Sequence, residues 1–170
     1  MNAERTIVAA PLDAAAFEPF GTVIEACGEP SRLINGGLCG RHHDLCAPDI
    51  ADGRVGLSMF DARPRAMPYR LDLLERHPLG SQAFVPLHGE PFLVIVAPDG
   101  NGVPGSPRAF LTNGAQGIQI ARNTWHGVLT PLAEPGLFAV VDYCGSEPNL
   151  EEHRLDPPWI VQPPQVSGPR

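Results

Sequence analysis

Chain-breaking residues set the first constraint: 18 glycines and 20 prolines account for 38 of the 170 residues. Long helices do not tolerate a Gly or Pro at that density, so an all-α bundle is excluded. Short strands joined by many turns do tolerate it, which points to a β-barrel or β-sandwich. Disorder does not explain the bias, because 43% of residues are apolar. The length suits one domain, residues 1–170, with a core large enough to need no covalent staples.

Charge narrows the partners. Twelve basic residues against 19 acidic ones leave a net charge of −7, without basic clusters, so neither a nucleic-acid nor an anionic membrane surface is expected. The longest apolar run, Pro91–Pro98, is far too short to span a bilayer. The stretch Met1–Val8 carries Glu4 and Arg5 and no apolar segment, so no secretory signal is expected. Cys27, Cys39, Cys46 and Cys144 form no C-x-x-C pair, and they read as free thiols of a cytoplasmic protein.

Asp13 is placed to cap a short helix, Ala14–Glu18, that Pro19 and Gly21 stop. Strand-like runs follow at Arg32–Asn35, Arg41–Leu45, Arg54–Phe60, Tyr69–His77, Gln82–Leu87, Phe92–Ala97, Arg108–Leu111, Gly117–Ala121, His126–Leu129 and Leu137–Tyr143. Between them, Asn35-Gly36-Gly37, Asp99-Gly100-Asn101-Gly102 and Asn113-Gly114 supply residues that accept positive φ, the last as a hairpin turn. The run Phe92–Val96 is apolar on both faces and calls for cover on both sides. A barrel core is expected over about residues 22–145, with the Pro-rich stretch 146–170 lying across the surface as a tail that Trp159-Ile160 anchors.

The segment from Leu71 to Gln82 carries the chemistry. Alternation in a strand puts Leu71, Leu73, Glu75 and His77 on one face, and the leucines make that face the inward one. A carboxylate and an imidazole carried inside need a metal, a ligand or each other. Arg76 falls on the opposite face. The spacing around these residues resembles the two motifs of cupin barrels. In the first motif Glu75 and His77 stand at the two histidine positions, Gln82 at the glutamate and Gly89 at the closing glycine. The second motif falls on Ala121–His126, with Asn123, tolerant of a left-handed backbone, at the glycine turn. The motif's metal positions would then be Glu75, His77, Gln82 and His126.

Longer strings narrow the likeness. Ile34-Asn35-Gly36-Gly37-Leu38, Arg41-His42-His43-Asp44-Leu45, Glu75 through Pro86, Arg108 through Gly114 with Gln116-Gly117, and Arg122 through His126 resemble the ureidoglycolate lyase family, over roughly Leu12–Gly145. That resemblance implies an all-β, cupin-like double-stranded β-barrel with a short N-terminal helix. It implies a homodimer that splits ureidoglycolate into urea and glyoxylate in allantoin breakdown, with nickel as the associated divalent metal.

The residues suit that chemistry. Ureidoglycolate is a hemiaminal whose breakdown needs a base for the hydroxyl proton, an acid for the departing nitrogen and a cation for the carboxylate. Glu75 or His77 serves as base, and His126 meets them around the metal or the substrate hydroxyl. Arg41, Arg108 and Arg122 are candidates for a carboxylate clamp, with His43 and Gln82 as further substrate contacts. Against this stand plainer readings: core histidines at 77 and 126, an orienting rather than ligating Gln82, and a surface turn at His42-His43-Asp44. His88 and His153 read as exposed. The rival fold is a closed β-sandwich. Rival functions are an amidohydrolase releasing ammonia and a cupin that binds a small acid without turnover, whereas the Glu-His-Gln-His set argues against an iron dioxygenase.

Overall fold

The computed structural model describes residues 5–164. Near the start lie β1 (Arg5–Val8), β2 (Ala10–Pro11), helix α1 (Ala14–Phe17), β3 (Gly21–Ile24), β4 (Arg32–Ile34), β5 (Cys39–Arg41) and β6 (Arg54–Asp61). Next come β7 (Tyr69–Arg76), β8 (Gln82–Pro86), β9 (Phe92–Ala97), β10 (Arg108–Leu111) and β11 (Gly117–Ile120). The last are β12 (Trp125–His126), β13 (Thr130–Pro131), β14 (Leu137–Cys144) and β15 (Glu151–Gln162). The helix starts where expected: Asp13 accepts a hydrogen bond from the Ala16 amide at 2.9 Å, satisfying one free donor of the first turn. Phe17 from that helix is fully buried against Phe20 and Phe110.

The strands form a large sheet ordered β1-β15-β7-β12-β9-β10-β2, a five-stranded sheet ordered β3-β11-β8-β14-β6, and a separate ribbon of β4 and β5. One segment stitches the large sheet shut. β1 pairs in parallel with β15 and β2 pairs in parallel with β10, so residues 5–11 join its two edges. Closure leaves β9 with cover on both faces, and all six of its residues are buried. Phe92, Val94 and Val96 pack between the sheets with Phe84, Ile118, Phe138 and Val140, while Leu93, Ile95 and Ala97 pack on the other side with Leu71, Leu74, Trp125 and Val161. The result is a nearly all-β, cupin-like barrel with one small helix.

Three expectations need correction. The stretch expected as a surface tail is instead β15, an inner strand between β1 and β7, and the sheet extends over residues 5–162 rather than 22–145. Its prolines misled the reading: the register with β7 shifts between Arg154 and Trp159, so Pro157-Pro158 sit in an irregularity where no ladder amide is required. Alternation along β7 also breaks. Leu71 and Leu74 fall in one cluster, because five steps along β15 face only two along β7 at that shift. Finally, Asn113-Gly114 links β10 of one sheet to β11 of the other, a crossing between layers and no hairpin. Gly114 has φ +88°, and a Cβ there would strike the Gly89 carbonyl oxygen.

Candidate active site

Cross-strand pairing builds the site. His126 of β12 stands opposite both Glu75 of β7 and Val96 of β9, and Arg108 of β10 stands opposite Val96. Paired residues project to the same face, so Glu75, His126 and Arg108 lie in one row with Val96, facing the smaller sheet. From that sheet Gln82 and Asp142 share the parity of Phe84 and Val140, which are core residues between the layers, and so project back toward the row. Polar groups thus close one end of an otherwise apolar layer.

A tight bend brings His77 and His126 together. Asn123 adopts φ +64°, as its place at the motif's turn requires, and its amide donates to the His77 carbonyl at 2.9 Å. The rings of His77 and His126 lie 5.2 Å apart. One ligand atom each from Glu75, His77 and His126 falls within 4.8 Å of the other two. His126 is 2% exposed and its Nδ1 lies 3.9 Å from a Glu75 oxygen.

The tautomers follow from the partners. His77 Nδ1 donates to the Asn149 carbonyl at 2.6 Å, and His126 Nδ1 donates to the Gly127 carbonyl at 3.0 Å. A carbonyl only accepts, so each Nδ1 carries the proton and each Nε2 keeps its lone pair. Both Nε2 atoms are buried without a hydrogen-bond partner. That is the arrangement of imidazoles prepared for a cation, with the outer nitrogen held by a backbone carbonyl. Burial lowers the His126 pKa to about 4, keeping the ring neutral, while burial pushes the Glu75 carboxyl above its usual range. The three donors fit a divalent metal.

Beside His77 opens a polar cleft of about 310 Å³, lined by Ser81, Gln82, Asp142, Tyr143, Glu147 and Asn149 among others. Gln82 is 7% exposed, and its Nε2 donates to Asp142 Oδ2 at 3.2 Å. Asn149 works twice, since its side chain also accepts from the Leu79 amide at 2.6 Å. Nothing in the one-dimensional pattern marked Asn149 or Asp142: one sits in a loop read as tail, the other at the end of a strand read only as core. A second void, about 20 Å³ and lined by Phe84, Val94 and Ile118, holds nothing larger than a water.

The remaining expected contacts are dispersed. Arg41 and His43 are exposed on and just after the β4–β5 ribbon. Arg122 is held by Asp49 at 3.1 Å. Arg108 spreads its guanidinium over Phe20 and Phe110, at 5.6 and 5.2 Å from the ring centres. His88 and His153, expected exposed, are half-buried against Phe138 and Trp125.

Comparison with known proteins fits this architecture. Residues 4–162 match the family model described as ureidoglycolate lyase. The chain belongs to the ureidoglycolate lyase family. Its relatives include a ureidoglycolate lyase of Rhodobacter capsulatus, 59% identical over 89% of this chain and 95% of the relative. Another, from a Chelativorans species, is 49% identical over 95% of this chain and 99% of its own length. The ureidoglycolate lyase 2 of Rhizobium meliloti is 49% identical over 89% and 94%. The family match reaches residue 162 and so takes in β15. No helix among the described residues is long and apolar enough to cross a membrane.

Proposed function

We propose that this protein is a lyase that cleaves ureidoglycolate to glyoxylate and urea, working in the breakdown of allantoin. The observation that carries the reading is the convergence of Glu75, His77 and His126, two of them with buried, unpartnered Nε2 atoms, beside a polar cleft that His77 lines. Family membership supplies the substrate.

His77 Nε2, His126 Nε2 and a Glu75 oxygen would hold the divalent ion, for which we favour nickel because imidazole suits it and the family resemblance points there. When bound, that ion polarises the substrate hydroxyl and lowers its pKa. The chain does the rest. Glu75, its affinity for a proton raised by burial, takes the hydroxyl proton on its remaining carboxylate oxygen. As the hydroxyl oxygen becomes the carbonyl of glyoxylate, the carbon–nitrogen bond breaks and its electron pair goes to the ureido nitrogen. Glu75 returns the proton to that nitrogen and urea departs. Arg108 stands in the row of His126 and Glu75, two strands and roughly 10 Å of backbone from His126, and would meet the substrate carboxylate by swinging off Phe20 and Phe110, over which it now packs. His126, neutral and buried, serves to hold and orient rather than to exchange protons.

One assay tests the reading. Purified enzyme given ureidoglycolate should release urea and glyoxylate in equal amounts, with activity lost on chelation and restored by nickel. Ammonia in place of urea would make it an amidohydrolase, and no product would make it a binding module.

The protein also works as a homodimer. Val55, Leu57 and Met59 of β6 are exposed, Leu57 by 72%, and pair with Tyr143, Val141 and Ala139 of β14 on the same outer face, beside exposed Val85. An edge strand with so apolar a face needs cover, and a second copy supplies the same apolar surface by symmetry. Leu57→Asp should halve the mass seen in sedimentation. The four free cysteines, two of them exposed, suit the reducing cytoplasm.

A further inference from the structure

Resting on the lyase reading, we infer that Asp142 reads the ureido end of the substrate and that Gln82 positions it. The cleft has two poles. At one, His77 lines the wall, with ligand atoms of Glu75 and His126 from the large sheet gathered within 4.8 Å of its own. Facing them from the smaller sheet stands Asp142, one step beyond the pair Val141–Ala83 that ends the β14–β8 ladder, and therefore beside Gln82. Among the described residues no arginine lines the cleft. The Asp142 pole consequently offers acceptors and negative charge, the wrong chemistry for a carboxylate.

A ureido group presents the matching edge. Opposite its carbonyl it carries two parallel N–H donors, one from the terminal amine and one from the nitrogen attached to the hemiaminal carbon. A carboxylate accepts such a pair bidentately, as it does from a guanidinium fork. Asp142 uses one lone pair on the bond from Gln82 Nε2 at 3.2 Å, which leaves acceptor sites on both of its oxygens. Gln82 is almost fully buried and reaches Asp142 from the neighbouring strand, so it fixes the carboxylate plane without needing to touch substrate itself. The cleft, about 310 Å³, lies at the small end of the usual range for ligand sites, roughly 300–1,000 Å³. Held this way, the substrate lies with its urea over Asp142 and its hydroxyl toward the cluster of Glu75, His77 and His126.

The test separates the two ends of the substrate. In wild-type enzyme, inhibition by urea and by glyoxylate is measured beside KM and kcat for ureidoglycolate. Asp142→Asn puts a donor where an acceptor is needed; KM and the urea inhibition constant should each rise at least about 10-fold, with glyoxylate inhibition unchanged and kcat within about threefold. Gln82→Leu should move the same constants in the same direction by less, and it serves alone if Asp142→Asn does not fold. A folded variant that keeps the wild-type KM and urea inhibition overturns the assignment while the lyase reading stands. Wild-type enzyme that releases no urea overturns the lyase reading, and the assignment with it.

Discussion

The two faces of β7 and β12 carry polar groups back to back, yet only one face satisfies them. Behind the site, Arg76 lies over the Trp125 ring at 4.5 Å and bonds both Asp99 and Glu151. Asp99 also accepts from the Trp125 indole at 2.9 Å and from the Gly102 amide, and these bonds hold its carboxyl below the usual range. No buried side-chain nitrogen or oxygen of that cluster is left without a partner. In front, Glu75, His77 and His126 are just as close together, and two buried nitrogens face no partner. A satisfied cluster fixes strands; an unsatisfied one at similar depth is held ready for something else. Adjacent residues of the same strands thus divide between structure and chemistry, and each face can be broken without the other.

The largest effect belongs to the front. His126→Gln keeps a side chain of similar size that can still hydrogen-bond, so the fold should persist while urea release falls at least ~10²-fold. Turnover and melting temperature measured on one preparation decide between the faces. A variant with normal turnover per folded molecule and a lowered melting point would assign His126 to structure.

Acid should separate them next. His126 titrates at about 4 in the folded chain against 6.5 when exposed, so between those values the unfolded state binds a proton that the folded state does not. Stability from this group is complete above pH 6.5 and falls as the pH drops toward about 4, by about 3 kcal/mol over the window. Glu75, shifted upward, acts in the opposite sense: above its unfolded value it costs stability as the pH rises. Denaturant titrations of chelated wild type and His126→Gln isolate the histidine, because only the wild type should show that share of the acid loss.

How much of this was legible beforehand depends on what each residue must do locally. Asp13, Asn123 and the turn glycines act within a few residues of themselves, and their positions in the chain predicted their conformations. The inclusion of Glu75, His77 and His126 was also readable, from motif spacing, although the alternation argument that turned Leu71 inward beside Glu75 fails at the β15 irregularity. β15 was hidden because prolines usually forbid an inner strand, and only the partner strand reveals that they occupy a break in the ladder. Asp142 and Asn149 gain their roles from partners 60 and 70 or more positions away, which no local pattern encodes. Arg41 and His43 show the converse: a distinctive string that a single chain leaves at the surface.

Breaking the rear face should cost stability first. Arg76→Met keeps much of the stem over Trp125 and removes the charge, leaving Asp99 and Glu151 without their shared partner. Arg76 is only 13% exposed, so the loss should be about 2 kcal/mol, read as a lower denaturant midpoint. Turnover per folded molecule should stay within about threefold of wild type. If it falls as far as in His126→Gln, the two faces are not independent and the comparison fails.

The smallest effect tests the link between them. Asn149 holds the His77 ring with its backbone carbonyl, which no substitution removes, and anchors that carbonyl through its side-chain bond to the Leu79 amide. Asn149→Ala deletes only the anchor, so His77 keeps its partner but loses the fixed distance to it. A histidine that merely filled space would not notice. One that must aim Nε2 at Glu75 and His126 should lose metal affinity and kcat together, by about 10- to 30-fold, the low end of the range for a group that orients a ligand from behind. Asn149→Asp retains a side-chain oxygen for the Leu79 amide and should recover most of both. Titration of nickel into chelated enzyme, beside kcat at saturating metal, reads the effect. Equal losses in the Ala and Asp variants would mean that the side-chain oxygen does not position His77.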